Sequence, residues 1–170
     1  MKRYFLLLLI VLISNFNFSQ SKFEFNHSLG GTIAVYTKYN YFNINLLMQY
    51  NPKVSYCFTK NTSISISSFP SINPIKLAYR DPFFILPIGF QINAGNCASK
   101  ESTSTAGFYF NAGVCDFALG DEYLEIKPFF SAGVKIDIIT LKMDFIPVLN
   151  ENKATNIINF GLLVNLNKKE

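Results

Sequence analysis

From Phe42 to Phe58 the chain alternates. Phe42, Ile44, Leu46, Met48, Tyr50, Pro52, Val54, Tyr56 and Phe58 fall on one row, and Asn43, Asn45, Leu47, Gln49, Asn51, Lys53, Ser55 and Cys57 on the other. A helix would scatter the first set around its surface, whereas a strand puts it all on one face. The same period of two recurs along the chain. Phe23 to Val35 carries Phe23, Phe25, His27, Leu29, Gly31, Ile33 and Val35 on one row. Ser63–Ser68 alternates through Ile64 and Ile66, and the next run through Phe84, Leu86, Ile88, Phe90 and Ile92. Gly107–Leu119 runs through Phe108, Phe110, Ala112 and Val114, then slips at Asp116–Phe117, which suggests a bulge. Leu124, Ile126, Pro128, Phe130, Ala132, Val134 and Ile136 make a further row. After a phase change around Asp137–Thr140, Leu141, Met143, Phe145 and Pro147 follow, then Ile158 to Leu166.

The connections are short at Lys38–Asn40, Thr59–Thr62, Gly120–Asp121 and Asn150–Ala154. Phe69–Pro82, with three prolines, reads as a true loop, and Gly95–Ser104 as a polar connection holding Cys97. No segment shows a stripe of helical period. Eight strands joined neighbour to neighbour must close on themselves, because open edges would otherwise run along the sheet. The expected fold is all-β, an eight-stranded antiparallel up-and-down barrel.

Such a barrel has an oily face and a polar face, and function turns on which one looks outward. A soluble, lipocalin-like barrel points the oily face inward around a hydrophobic ligand; a membrane barrel points it at lipid. Composition favours the membrane form. Aromatic residues are 16%, with eighteen Phe and nine Tyr, and these would overfill an eight-strand interior. Charged residues are only 15%, too few for a water-washed outer surface, where ~25–35% is usual. The polar rows hold amides and hydroxyls instead, with opposite charges as near neighbours: Glu125 with Lys127, Lys135 with Asp137, Lys142 with Asp144. In a lumen these six residues can neutralise one another. Phe23, Tyr36, Tyr41, Phe42, Phe58, Phe83 and Tyr123 gather near strand ends, where interfacial girdles belong. Pro52, Pro87, Pro128 and Pro147 fall inside predicted strands, so they are expected at bulges or outside the bilayer.

The N-terminus is a separate unit. Lys2 and Arg3 precede an unbroken apolar run of ten, Tyr4–Ile13, and a small-polar stretch to Ser19. That order is a secretory signal peptide, and the run is too short to span a bilayer as a helix of ~20 residues. The division is residues 1–19 as signal peptide and 20–170 as barrel. The net charge of +4 has no clustered basic run behind it, so nucleic acid is not an expected partner.

Four stretches carry a family resemblance: Asn17-Phe18-Ser19-Gln20, Tyr50 to Tyr56, Ile126 to Gly133, and Phe160 to Leu166. With these the chain resembles the small outer-membrane β-barrels of Gram-negative bacteria, the eight-stranded OmpA/OmpX-like superfamily, and more narrowly the porin-family barrels of Bacteroidetes. The resemblance implies an outer-membrane location, lipid and the barrel-assembly machinery as partners, and a monomer. Members usually end on an aromatic residue that this machinery reads; here Leu166 holds that place.

Catalytic chemistry is sparse. His27 is the one histidine and sits on an apolar row, where an interfacial residue is expected rather than a Ser–His–acid site. Cys57, Cys97 and Cys115 are too few and too spread for zinc. If a disulfide forms, topology favours Cys57–Cys97; three unpaired thiols are the equal alternative. No phosphate loop and no cofactor site appears. Lys76 and Arg80, in the proline-rich loop, are the candidates to meet acidic lipopolysaccharide groups. The leading expectation is a non-enzymatic outer-membrane barrel with a filled lumen and a structural or surface-interaction role. A secreted soluble barrel with a hydrophobic ligand and a membrane enzyme are the other readings.

Overall fold

The computed structural model describes residues 22–38, 41–75, 83–119, 126–147 and 156–166. The signal-peptide range, Lys76, Arg80 and Glu125 lie outside these residues. The strands are β1 Lys22–Lys38, β2 Tyr41–Thr59, β3 Thr62–Ser68, β4 Ser71–Ile72, β5 Phe83–Gly95, β6 Ala106–Leu119, β7 Lys127–Ile136, β8 Ile139–Ile146 and β9 Ile157–Asn165. Each pairs antiparallel with its neighbours, and β1 pairs with both β2 and β9, so the sheet closes. β3 and β4 share one stave between β2 and β5. The result is a closed eight-stave antiparallel barrel.

Register fixes its shape. Stepping from partner to partner, Ala34 on β1 leads through Asn159, Asp144, Ser131, Asn111, Gln91, Ser65 and Ser55 back to β1 at Glu24. The walk returns ten residues from where it began, the difference between positions 34 and 24. With a rise of ~3.3 Å per residue and ~4.7 Å between strands, that stagger tilts the staves by about 40°. Eight staves at this tilt leave an interior only about as wide as facing side chains.

The alternation resolves as an oily exterior. Phe42, Ile44 and Leu46 are 66%, 64% and 62% exposed on the outer face, while Asn45 and Gln49 on the alternate row are 6% and 1% exposed inside. Every stave repeats the arrangement, from Phe25 and Ile33 on β1 to Phe160 and Leu162 on β9. The soluble reading needed these rows inside, and they are outside.

Four expectations are corrected. The stretch 69–82 is not wholly loop: after a break at Phe69–Pro70, β4 resumes the stave and pairs with Met48, Gln49, Phe84 and Ile85. The strand prolines cluster around this break. Pro52 and Pro87 flank it from either side, and Phe69 N and Ser68 Oγ both donate to Pro87 O. The missing N–H of each proline thus falls where the ladder is already interrupted. Pro128 and Pro147 lie where the β7–β8 pairing has not begun or has ended. Next, there is no bulge at Asp116–Phe117, because pairing with β5 runs unbroken to Leu119; the irregularity lies at Cys57/Thr59. Third, Tyr36 and Phe83 are not girdle residues. They point inward, buried and stacked 5.5 Å apart. Fourth, the interior is not polar throughout, as described next. The phase change after Ile136 is a turn, and Asp137 takes the left-handed conformation there at φ 52. Asp tolerates this region better than most residues, so no glycine is needed.

Candidate functional site: a capped, two-part interior

The barrel has a terminal end, with Lys22, the Thr59–Thr62 turn, the 96–105 connection and Leu166, and an opposite loop end. The interior changes character between them. Toward the terminal end the inward residues are polar: Asn26, Ser55, Ser63, Ser65, Gln91, Asn93 and Asn111 are all buried. Toward the loop end they are mostly apolar: Leu47, Phe69, Phe83, Ile85, Cys115, Phe129, Ile146 and Ile157 form a buried cluster with Tyr36, beside buried Asn45, which donates to Tyr36 Oη at 3.0 Å and accepts from Asn73 Nδ2 at 3.2 Å. This is why the sequence pattern seems to slip near Asp116. The faces do not exchange; the inner face itself turns apolar.

The boundary is where Lys142 and Asp144 sit. Their side chains are 2.6 Å apart and effectively sealed, at 0% and 1% exposure. Lys142 Nζ also lies 4.1 Å from the centroid of Phe69, the residue at the stave break. Phe69 in turn packs on Tyr109 at 6.3 Å and Phe129 at 6.0 Å. Room for these groups comes from glycines on the same inner row. A Cβ on Gly133 would come within 2.4 Å of the Tyr109 ring, and one on Gly161 within 2.6 Å of Thr32 and 2.9 Å of Lys142. A desolvated ammonium over an aromatic face, held by a carboxylate, is a strong local attraction in a low dielectric.

The terminal end is covered. Residues 96–105 fold under the mouth as a cap, with Asn96, Cys97, Ala98, Ser99 and Ser102 all buried. Two inward lysines hold its backbone: Lys53 Nζ donates to Cys97 O at 2.8 Å, and Lys135 Nζ to Asn96 O at 3.3 Å. Glu24 accepts from Ser99 Oγ at 2.8 Å and from Lys100 N at 2.9 Å. Ser63 Oγ donates to Ala98 O, and Ser102 Oγ to Asn61 Oδ1, each at 2.8 Å. Asn96 Nδ2 reaches Thr105 O and Asp137 O. Between the cap and the wall remains a cavity of about 60 Å³ lined by Lys53, Gln91, Asn96, Tyr109, Lys135 and Thr140 among others.

The other residues singled out from sequence fall as follows. Lys127 is half-buried at the start of β7, opposite Cys115. Lys135 is half-buried in the cavity wall, and Asp137 is exposed in the β7–β8 turn. His27 is on the outer face, its ring 5.6 Å from Phe25 and its Nδ1 3.4 Å from Tyr50 Oη. Cys57, Cys97 and Cys115 are free and buried. Burial, the largest influence, pushes the Cys97 thiol above its ordinary range, against the pull of Lys53 and Lys135. Among the described residues no group of three His, Cys, Asp or Glu is placed to hold a metal. Sequence reasoning did not find Lys53, Glu24 or the cap; the signal available was two charges on an inward row, Glu24 and Lys53, near the same barrel end.

Comparison with known proteins adds the fold. No protein-family model and no curated protein matches the sequence. Among solved structures, Ail, the attachment invasion locus protein of Yersinia pestis, aligns with a TM-score of 0.52 at 11% identity, over 84% of this chain and 97% of that one. Ail in complex with the heparin analogue sucrose octasulfate gives 0.48 at 11% identity, over 85% and 99%. Neisserial surface protein A gives 0.44 at 14% identity, over 84% and 98%. The first of these places the chain in the same barrel fold.

Proposed function

We propose that this chain is a non-enzymatic outer-membrane β-barrel, exported by its signal peptide, with an interior filled by its own side chains and a structural or surface-interaction role at the loop end. One observation carries the reading: every stave presents bulky apolar side chains outward, among them Phe90 at 74% and Phe110 at 52% exposure. Soluble monomers rarely expose contiguous apolar patches beyond a few hundred Å². At about 25 cal/mol per Å², a belt around the whole barrel in water forgoes a large stabilisation that hydrocarbon supplies. The polar half of the interior, the Lys142–Asp144 pair and the Phe69–Tyr109–Phe129 cluster support a closed lumen rather than a general pore. Lipid and the assembly machinery are the partners this reading requires, and a monomer suffices because the sheet has no free edge. Lys76 and Arg80 are our candidates for lipopolysaccharide contact. The fold is shared with a protein named for attachment and invasion, which supports a surface role.

Cell fractionation tests this. The protein is expected in the membrane pellet after a carbonate wash, with a gel mobility that shifts on boiling because the closed sheet resists detergent until heated. Release into the wash with no heat-dependent shift contradicts the membrane reading.

A further inference from the structure

We propose that the outer face around Gly31 seats one glycerophospholipid of the leaflet at the terminal end. The inference rests on the membrane reading above and adds to it a defined lipid. Gly31 is the only exposed glycine among the described residues. Its backbone does not require glycine, since its φ is not positive. A Cβ there would meet nothing nearer than Leu47 O at 3.8 Å, an ordinary contact, whereas one on Gly30 would collide with Leu162 O. The missing side chain instead leaves a hollow of about 590 Å³ on the outer face, open to the surroundings and lined by Gly31, Ile33, Leu46, Leu141, Phe160 and Leu162 among others. Met48 opposes Gly31 on β2 and stands as a ridge. On its far side a second open hollow of about 240 Å³ lies among Leu29, Tyr50, Pro70, Ile72 and Phe84. Two apolar grooves parted by one ridge fit the two chains of a diacyl lipid better than a single-chain amphiphile.

A polar pair on the same face places the head group. His27 lies four positions from Gly31 on the same outward row, toward the terminal end, ~13 Å along the strand. That is within the depth of one leaflet, about 15 Å in a hydrocarbon core ~30 Å thick. With Tyr50 Oη donating to His27 Nδ1 across 3.4 Å, the ring's Nε2–H is left to donate to an ester or phosphate oxygen of the lipid. In hydrocarbon, oil against oil brings no transfer gain, so retention depends on packing in the grooves and on this donor. A second copy of the barrel is the weaker occupant. A stable pair buries ~1,200–2,000 Å² in total, and two convex barrels meet along a narrow line.

The test is native mass spectrometry of the full folded chain, mixed in detergent with palmitoyl-oleoyl phosphatidylethanolamine and then washed repeatedly with detergent. One retained phospholipid per chain is expected. Gly31→Leu is expected to cut the retained fraction at least about tenfold, because a side chain and a lipid chain cannot fill one space. His27→Leu is expected to cut it several-fold, the scale of one lost hydrogen bond. Ala132→Leu, which adds similar bulk to the exposed outer row of β7, is expected to leave it unchanged. The heat-dependent gel shift shows that each variant is folded. No retained phospholipid on a chain that shows this shift and resists the carbonate wash overturns the proposal and leaves the membrane reading standing. Equal retention by Gly31→Leu also overturns it, as does equal loss from Ala132→Leu. So does a dimer mass that Gly31→Leu abolishes, or preference for lipid A over the phospholipid at equal concentration.

Discussion

At the scale of the residue, the interior depends on a few charges placed where water is scarce. Lys142 and Asp144 are the sharpest case, because neither can be solvated if its partner is removed. Lys142→Met alone is expected to lower unfolding free energy by ~3–5 kcal/mol, since it strands a buried carboxylate. The double change Lys142→Met with Asp144→Leu is expected to cost distinctly less, because it removes both charges and keeps the volume. Urea titration of the heat-dependent gel shift measures the two. A double variant as unstable as the sum of its parts would mean that the groups do not act as a pair. This pair was legible in the sequence as two opposite charges on a polar row, but its depth was not. That depth comes from Phe69, which sits 73 positions earlier and closes over Lys142 only because the third stave breaks there.

At the scale of the element, the cap is the part of the site that the sequence concealed. Residues 96–105 are polar and short of periodicity, so they read as no more than a polar connection. Their bonds run to residues far away in the chain: Ser99 and Lys100 to Glu24 across 75 and 76 positions, Ala98 to Cys57 and Ser63 across 41 and 35. No local pattern encodes such contacts. Strands were legible for the opposite reason, since their partners lie next in sequence and the outer face is uniformly apolar. β2 was expected from Phe42 to Phe58 and runs Tyr41–Thr59. Glu24→Gln removes the charge that holds Ser99 and the Lys100 amide, so the cap is expected to open more often. Trypsin cleavage after Lys100 in the folded protein should then rise several-fold, with the barrel itself intact by gel shift. Unchanged cleavage would mean that the lysine contacts and Ser63 hold the cap without Glu24.

At the scale of the whole molecule, the chain divides its chemistry by direction and by height. Outward is oil at every stave, inward is polar below and mostly apolar above, with the Lys142–Asp144 pair where the two inner halves meet and Glu24, Lys53 and Lys135 where the cap attaches. The outward half of this division could be read from alternation alone. The inward half could not, because an apolar residue facing in and an apolar residue facing out alternate near the loop end and look like a slip in phase. The chain contains no Trp, which allows a direct measurement of direction. Phe90→Trp, on the outer face, and Gln91→Trp, one residue on and facing in, give single-tryptophan proteins that report opposite sides of one strand. Reconstituted in phospholipids with brominated acyl chains, Phe90→Trp is expected to lose most of its fluorescence and to ignore aqueous iodide, while Gln91→Trp is spared by the bromines. Iodide quenching at Phe90→Trp without quenching by brominated lipid would contradict the account.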